Sequence, residues 1–133
     1  MEQPFIGIDT RKGRIRLNKR CYDELHEPQF IKILINPIKM QLGIQRTDKM
    51  SEEANRVNKA DTERGHADVY CRWLIHDLAV RYHWTDGCSY RVAAQACIDN
   101  EVLVFPLNKM VVMEGNVQTG AVEGINEVQT ECG

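Results

Sequence analysis

Ile33-Leu34-Ile35-Asn36-Pro37-Ile38-Lys39-Met40-Gln41-Leu42-Gly43-Ile44 is echoed near the other end of the chain by Leu103-Val104-Phe105-Pro106-Leu107-Asn108-Lys109-Met110-Val111-Val112-Met113. In each copy, aliphatic and β-branched runs flank a proline that cannot donate to a ladder, which predicts strand, turn, strand. Two similar hairpins predict a small sheet or barrel built from paired halves. The residues of the echo are nearly all aliphatic and carry no site chemistry. They form a scaffold, and function is sought in what decorates it.

Upstream of the first copy, residues 5–9 alternate weakly into the polar turn Thr10-Arg11-Lys12-Gly13, followed by Arg14-Ile15-Arg16-Leu17. This predicts a hairpin with one basic face. Asn18 is placed to cap a short helix running to Leu25, with Cys21, Tyr22 and Leu25 on its buried side and Pro28 as its stop. Residues 46–65 are polar, with only Met50, Ala54, Val57 and Ala60 as apolar positions. That segment is expected to be a connector or a frayed helix. Ala67, Tyr70, Cys71, Leu74, Leu78 and Tyr82 then fall on one helical stripe and predict a long amphipathic helix. Strands are expected at 90–95, 101–105 and 109–113. The fold expected is therefore α+β: a single domain over residues 1–113, with one short and one long helix beside the two hairpin halves. Residues 114–133, with four glycines, are expected to form a flexible tail.

The chain has 133 residues, of which 43% are hydrophobic and 27% charged, enough for one domain with a real core. A net charge of −2 and a pI near 6.1 give no global attraction to nucleic acid or anionic membrane. Binding to either would have to be local. The longest apolar runs are far shorter than the roughly 20 residues of a membrane helix, so no membrane partner is expected. Five cysteines, Cys21, Cys71, Cys88, Cys97 and Cys132, in a chain opening without a signal sequence, predict reduced thiols and a cytoplasmic location.

Arg11, Lys12, Arg14, Arg16, Lys19 and Arg20 place six cations within ten positions. Arg14 and Arg16 share one face of the expected hairpin and could follow a phosphate backbone; the alternative is a solvated face balanced by Asp9, Asp23 and Glu24. Trp73, Tyr82, Trp84 and Tyr90 cluster around the end of the long helix, as core or as an interface anchor. His26, His66, His76 and His83 show no metal-ligand spacing, and neither metal nor cofactor is expected. Cys21, Cys71 and Cys97 are expected to pack as small hydrophobes, leaving Cys88 the most exposed thiol. No catalytic residue is assigned, because no carboxylate pair, nucleophile with a base, or glycine-rich phosphate loop occurs.

The order strand, short helix, strand, hairpin over Arg14-Ile15-Arg16-Leu17-Asn18-Lys19-Arg20-Cys21-Tyr22-Asp23-Glu24-Leu25, residues 30–35 and residues 40–45 resembles AbrB-type transition-state regulators. That resemblance implies a swapped-hairpin homodimer in which Arg11, Arg14 and Arg16 face DNA. Leu17-Asn18-Lys19, Glu27-Pro28-Gln29-Phe30 leading to Asn36-Pro37, and Tyr90-Arg91-Val92 are similar to short uncharacterised proteins from phages and mobile elements of gut bacteria. Together these lead to the expectation of a non-enzymatic, DNA-associated transcription regulator that contacts double-stranded DNA through the basic hairpin. The alternative is a protein-binding module that inhibits a host factor through Trp73, Tyr82, Trp84 and Tyr90. A small-molecule-binding or hydrolytic enzyme is the third class.

Overall fold

The computed structural model describes residues 3–61, 65–85, 87–99, 101–114 and 117–121. It is mostly β. The strands are β1 (Phe5–Asp9), β2 (Arg14–Leu17), β3 (Phe30–Asn36), β4 (Gln41–Thr47), β5 (Asn55–Asp61), β6 (His66–Tyr70), β7 (Ser89–Ala93), β8 (Ala96–Ile98), β9 (Val102–Pro106), β10 (Val111–Glu114) and β11 (Val117–Ala121). They form one curled, antiparallel sheet in the order β11-β10-β7-β1-β2-β6-β5-β3-β4-β9-β8. Two α-helices accompany it among the described residues, α1 (Lys19–Glu24) and α2 (Arg72–Tyr82). The α+β architecture with a long amphipathic helix is thereby corrected.

Three local misreadings account for that correction. First, Ala67 and Tyr70 belong to strand β6, not to the helix. Ala67 and Val69 turn into the core while Asp68 and Tyr70 alternate to the other face, so a period of two underlies the apparent helical stripe. Only Arg72–Tyr82 is helical, burying Ile75, Leu78 and Tyr82 and leaving Trp73 and Val80 exposed. Second, the polar connector contains β5, which pairs with β3 through Phe30 and Ile31 and with β6 through Val57 and Asn58. A strand so poor in β-formers persists because neighbours on both sides satisfy its backbone. Third, the later copy of the echo is not a hairpin. Strand β9 pairs with β4 and β8, whereas β10 pairs with β7 and β11, and a 3-10 turn at Leu107–Lys109 carries the chain between them. The earlier copy is a true hairpin, β3 on β4, with Ile33 opposite Ile44.

The chain also bridges distant strands of this open curl. Strand β7 runs through Ala94 and Gln95 into β8; the Ala94 N–H donates to Pro4 O at 2.9 Å, and the Gln95 N–H to Val104 O at 2.7 Å. The core fills the inside of this curl with Ile6, Ile8, Ile15, Leu17, Ile31, Leu42, Ile44, Tyr90, Val92, Leu103 and Phe105. Each large aliphatic or aromatic side chain so buried contributes about 1.5–3 kcal/mol. Helix α1 starts as the sequence predicts, with Asn18 Oδ1 accepting from the Cys21 N–H at 2.9 Å, and it buries Cys21 and Leu25. Strands β2, β3 and β4 all take both neighbours from this chain. Of the expected tail, residues 117–121 form β11, and residues 115–116 and 122–133 lie outside the described residues.

The role of β5 is checked by proline. The Val57 N–H donates to Gln29 O at 2.9 Å. Val57→Pro deletes that donor inside a two-sided strand and is expected to cost ~1–3 kcal/mol in urea unfolding, whereas Glu52→Pro, at the second position of the Ser51–Ala54 turn that proline favours, leaves the midpoint nearly unchanged.

Candidate functional site

Alternation along β1, β2 and β7 sends Ile6, Ile8, Ile15, Leu17, Tyr90 and Val92 inward, so Phe5, Gly7, Asp9, Arg14, Arg16, Ser89 and Arg91 share the outer face. The strand registers align these residues into rows. Gly7 lies opposite Arg16 on one side and Arg91 on the other, and Arg16 in turn lies opposite Asp68. Asp9 lies between Arg14 and Ser89.

Asp68 is the anchor of this face. Its carboxylate is 1% exposed and accepts two hydrogen bonds from Arg16, from Nε at 2.7 Å and from Nη2 at 3.0 Å. Arg14 Nη1 approaches the same carboxylate at 3.6 Å, and Arg14 Nη2 lies 3.9 Å from Asp9. Two parallel N–H···O⁻ bonds fix the guanidinium plane as well as its position. Arg14 Nε is buried with no hydrogen-bond partner among the described residues. Beyond Gly7, the Arg91 guanidinium stacks over the Phe5 ring at 4.2 Å from its centroid, a cation–π contact. Gly7, Phe5, Arg14, Arg16, His66 and Arg91 together line a pocket of about 210 Å³.

The six sequence-selected cations do not converge. Arg14 and Arg16 belong to the outer-face network just described. Lys19 pairs with Asp23 at 2.7 Å and Arg20 with Glu24 at 2.9 Å, both one turn apart on α1, and the bond to Asp23 pushes the Lys19 ammonium pKa above its ordinary value. Arg11 and Lys12 sit exposed on the β1–β2 turn, with Arg11 reaching Gly87 O at 3.5 Å. That turn is tight: Gly13 has φ +65°, and a Cβ there would lie 2.8 Å from Arg72 Cα, so it packs directly on the start of α2.

This contact forms a second cleft, about 310 Å³, lined by Thr10, Arg11, Arg72, Trp73 and His76 among others, with no carboxylate among the described residues that line it. Helix α2 begins at Cys71 with no side-chain cap and no acidic residue in its first turn. A cation at that position opposes the helix dipole, which favours anions there. From the sequence His76 is weighed only as a metal ligand and Arg72 not at all, because their cleft forms only when β6 ends and α2 docks on the Gly13 turn. The signal available was Gly13 itself.

The four aromatic candidates separate. Tyr82, Trp84 and Tyr90 are buried and form a core cluster, with ring centroids 6.2 Å apart for Tyr82 and Trp84 and 5.6 Å for Trp84 and Tyr90. Tyr90 OH accepts from the Thr85 N–H at 2.9 Å. Trp73 alone is outside, 79% exposed. The cysteines also depart from expectation: Cys88 is fully buried and disulfide-bonded, while Cys97 is exposed. Burial pushes the Cys71 thiol up to about 12. Among the described residues no three His, Cys, Asp or Glu side chains stand together as a metal site, and no helix is long and apolar enough to cross a membrane. In comparisons with protein-family models, curated proteins and solved structures, the chain matches none.

Two outcomes follow from this geometry. Asp68→Asn removes the carboxylate that Arg16 and Arg14 share, leaving Arg14 with Asp9 at 3.9 Å, and is expected to cost ~3 kcal/mol in urea unfolding, the low end for breaking a buried pair because Arg16 stays a third exposed. The exposed Asp23→Asn control leaves the midpoint unresolved from the parent. In alkylation followed by mass spectrometry at about pH 8, Cys97 labels rapidly while Cys71 remains a neutral thiol and labels only on unfolding.

Proposed function

We propose that the chain is a non-enzymatic, DNA-associated regulator whose phosphate contacts come from the β1–β2 turn and the start of α2, not from the whole basic run. The observation that carries this reading is the cleft of Arg11, Arg72, Trp73 and His76, which has no carboxylate among its described lining residues, with Lys12 exposed on the same turn. Phosphate oxygens would supply the negative charge that the uncapped, cation-bearing start of α2 lacks. Arg14, Arg16, Lys19 and Arg20 already have carboxylate partners, so releasing them to DNA would cost part of what it gains. Trp73 offers a flat apolar face for sugar or base contact beside those cations.

A protein partner is the second reading. It is favoured by Trp73 and Val80, which are both exposed and lie two turns apart on one side of α2. Trp73 therefore takes over the anchoring role expected of the four aromatics.

Fluorescence anisotropy with a labelled duplex at several salt concentrations tests the DNA reading. With three phosphate contacts, log K is expected to fall with log salt at a slope of about −2.7, and Arg11→Ala with Arg72→Ala is expected to reduce the slope by about 2. Lys19→Ala with Arg20→Ala leaves it nearly unchanged. Absent binding at about 50 mM salt, or binding without a salt slope, overturns the reading.

A further inference from the structure

The outer face of β1, β2 and β7 has a feature that neither the core nor the α2 cleft explains. Gly7 occupies the middle of β1, a central strand where glycine weakens the ladder, and no turn or positive φ requires it there. Among the described residues, a Cβ placed on Gly7 would meet only Tyr90 O, at 3.9 Å. The cross-strand neighbours on either side of that gap are Arg16 and Arg91. Glycine in a strand interior commonly marks a place where a ligand approaches the backbone.

The two guanidinium groups are held from outside the gap. Asp68 takes two donors of Arg16 from the β6 side, and the Arg91 guanidinium carbon rests 4.2 Å from the centroid of the Phe5 ring. Both groups are therefore oriented before any ligand arrives, which lowers the entropic cost of binding. On this face the described residues set three arginines, Arg14, Arg16 and Arg91, against two carboxylates, Asp9 and Asp68. His66 lines the same pocket.

We propose that this pocket binds a small oxyanion, a phosphate or carboxylate group, seated over Gly7 between Arg16 and Arg91. A planar guanidinium such as that of Arg91 matches two such oxygens at once, Arg16 adds its positive charge while remaining bonded to Asp68, and the pocket of about 210 Å³ leaves room for a small organic substituent. The site is separate from the α2 cleft and stands whether or not the chain binds DNA.

The test is a titration of the full chain with inorganic phosphate, methyl phosphate and acetate at constant ionic strength, read by NMR at backbone amides and arginine Nε–H groups. The expected result is saturable shifts at Gly7, Arg16 and Arg91, with a dissociation constant on the order of 1 mM or below for the favoured anion. Tighter phosphate binding identifies a phosphate ester as the ligand class, and tighter acetate binding a carboxylate. Gly7→Val fills the gap with a good strand former, and Arg91→Met removes one guanidinium while keeping bulk; each is expected to weaken binding about tenfold or more with the spectrum otherwise preserved. Arg11→Ala leaves binding unchanged. Unsaturable shifts in the parent chain, or equal affinity in Arg91→Met, overturn the proposal even if Gly7→Val fails to fold.

Discussion

The carboxylate of Asp68 is the fixed point of this molecule. It lies on the outer face of the sheet, yet it is excluded from water because Arg16 and Arg14 close over it. Strand β6 sits between β2 and β5, so the bidentate bond to Arg16 crosses from β6 to β2, while Asn58 of β5 lies on the other side of Asp68 in register. The register of three strands thus meets at one ion pair. A one-residue slip of β6 would bring Asp68 into the core and expose Ala67 and Val69, which makes the alternative pairing strongly unfavourable.

The same pair organises the charge. Most of the cations in the basic N-terminal run are spent internally: two at Asp68, and two on α1 one turn from a carboxylate. The other two, Arg11 and Lys12, lie outward on the turn that docks on α2, and Arg91, from β7, adds a cation beside Gly7. A chain with net charge −2 can present such local cationic sites without a basic surface overall.

Much of the local structure was legible in the sequence. The Thr10 to Gly13 turn, the Asn18 cap and the β3–β4 hairpin each depend on neighbours close in the chain, and each formed where residue chemistry placed it. The failures share a different cause. Strand β5 has polar residues and becomes a strand only because β3 and β6 reach it from distant segments. The tetrapeptide Ala67-Asp68-Val69-Tyr70 fits a helical stripe and a strand alternation equally, and Arg16, fifty-two residues away, decides between them. The echo misled because similar aliphatic runs serve different partners, β9 joining β4 while β10 joins β7. For the candidate sites, residue type was visible but grouping was not. Arg91 meets Gly7 and Arg16, and Arg72 meets Arg11, only through the register of the completed sheet.

The most direct test of Asp68 as the fixed point is NMR of the Arg16 Nε–H group in the intact chain. The account predicts a resolved resonance, slow to exchange with water, with scalar coupling across the hydrogen bond to the Asp68 carboxylate carbon. An Arg16 Nε–H that exchanges as fast as those of exposed arginines, with no coupling to Asp68, would contradict it.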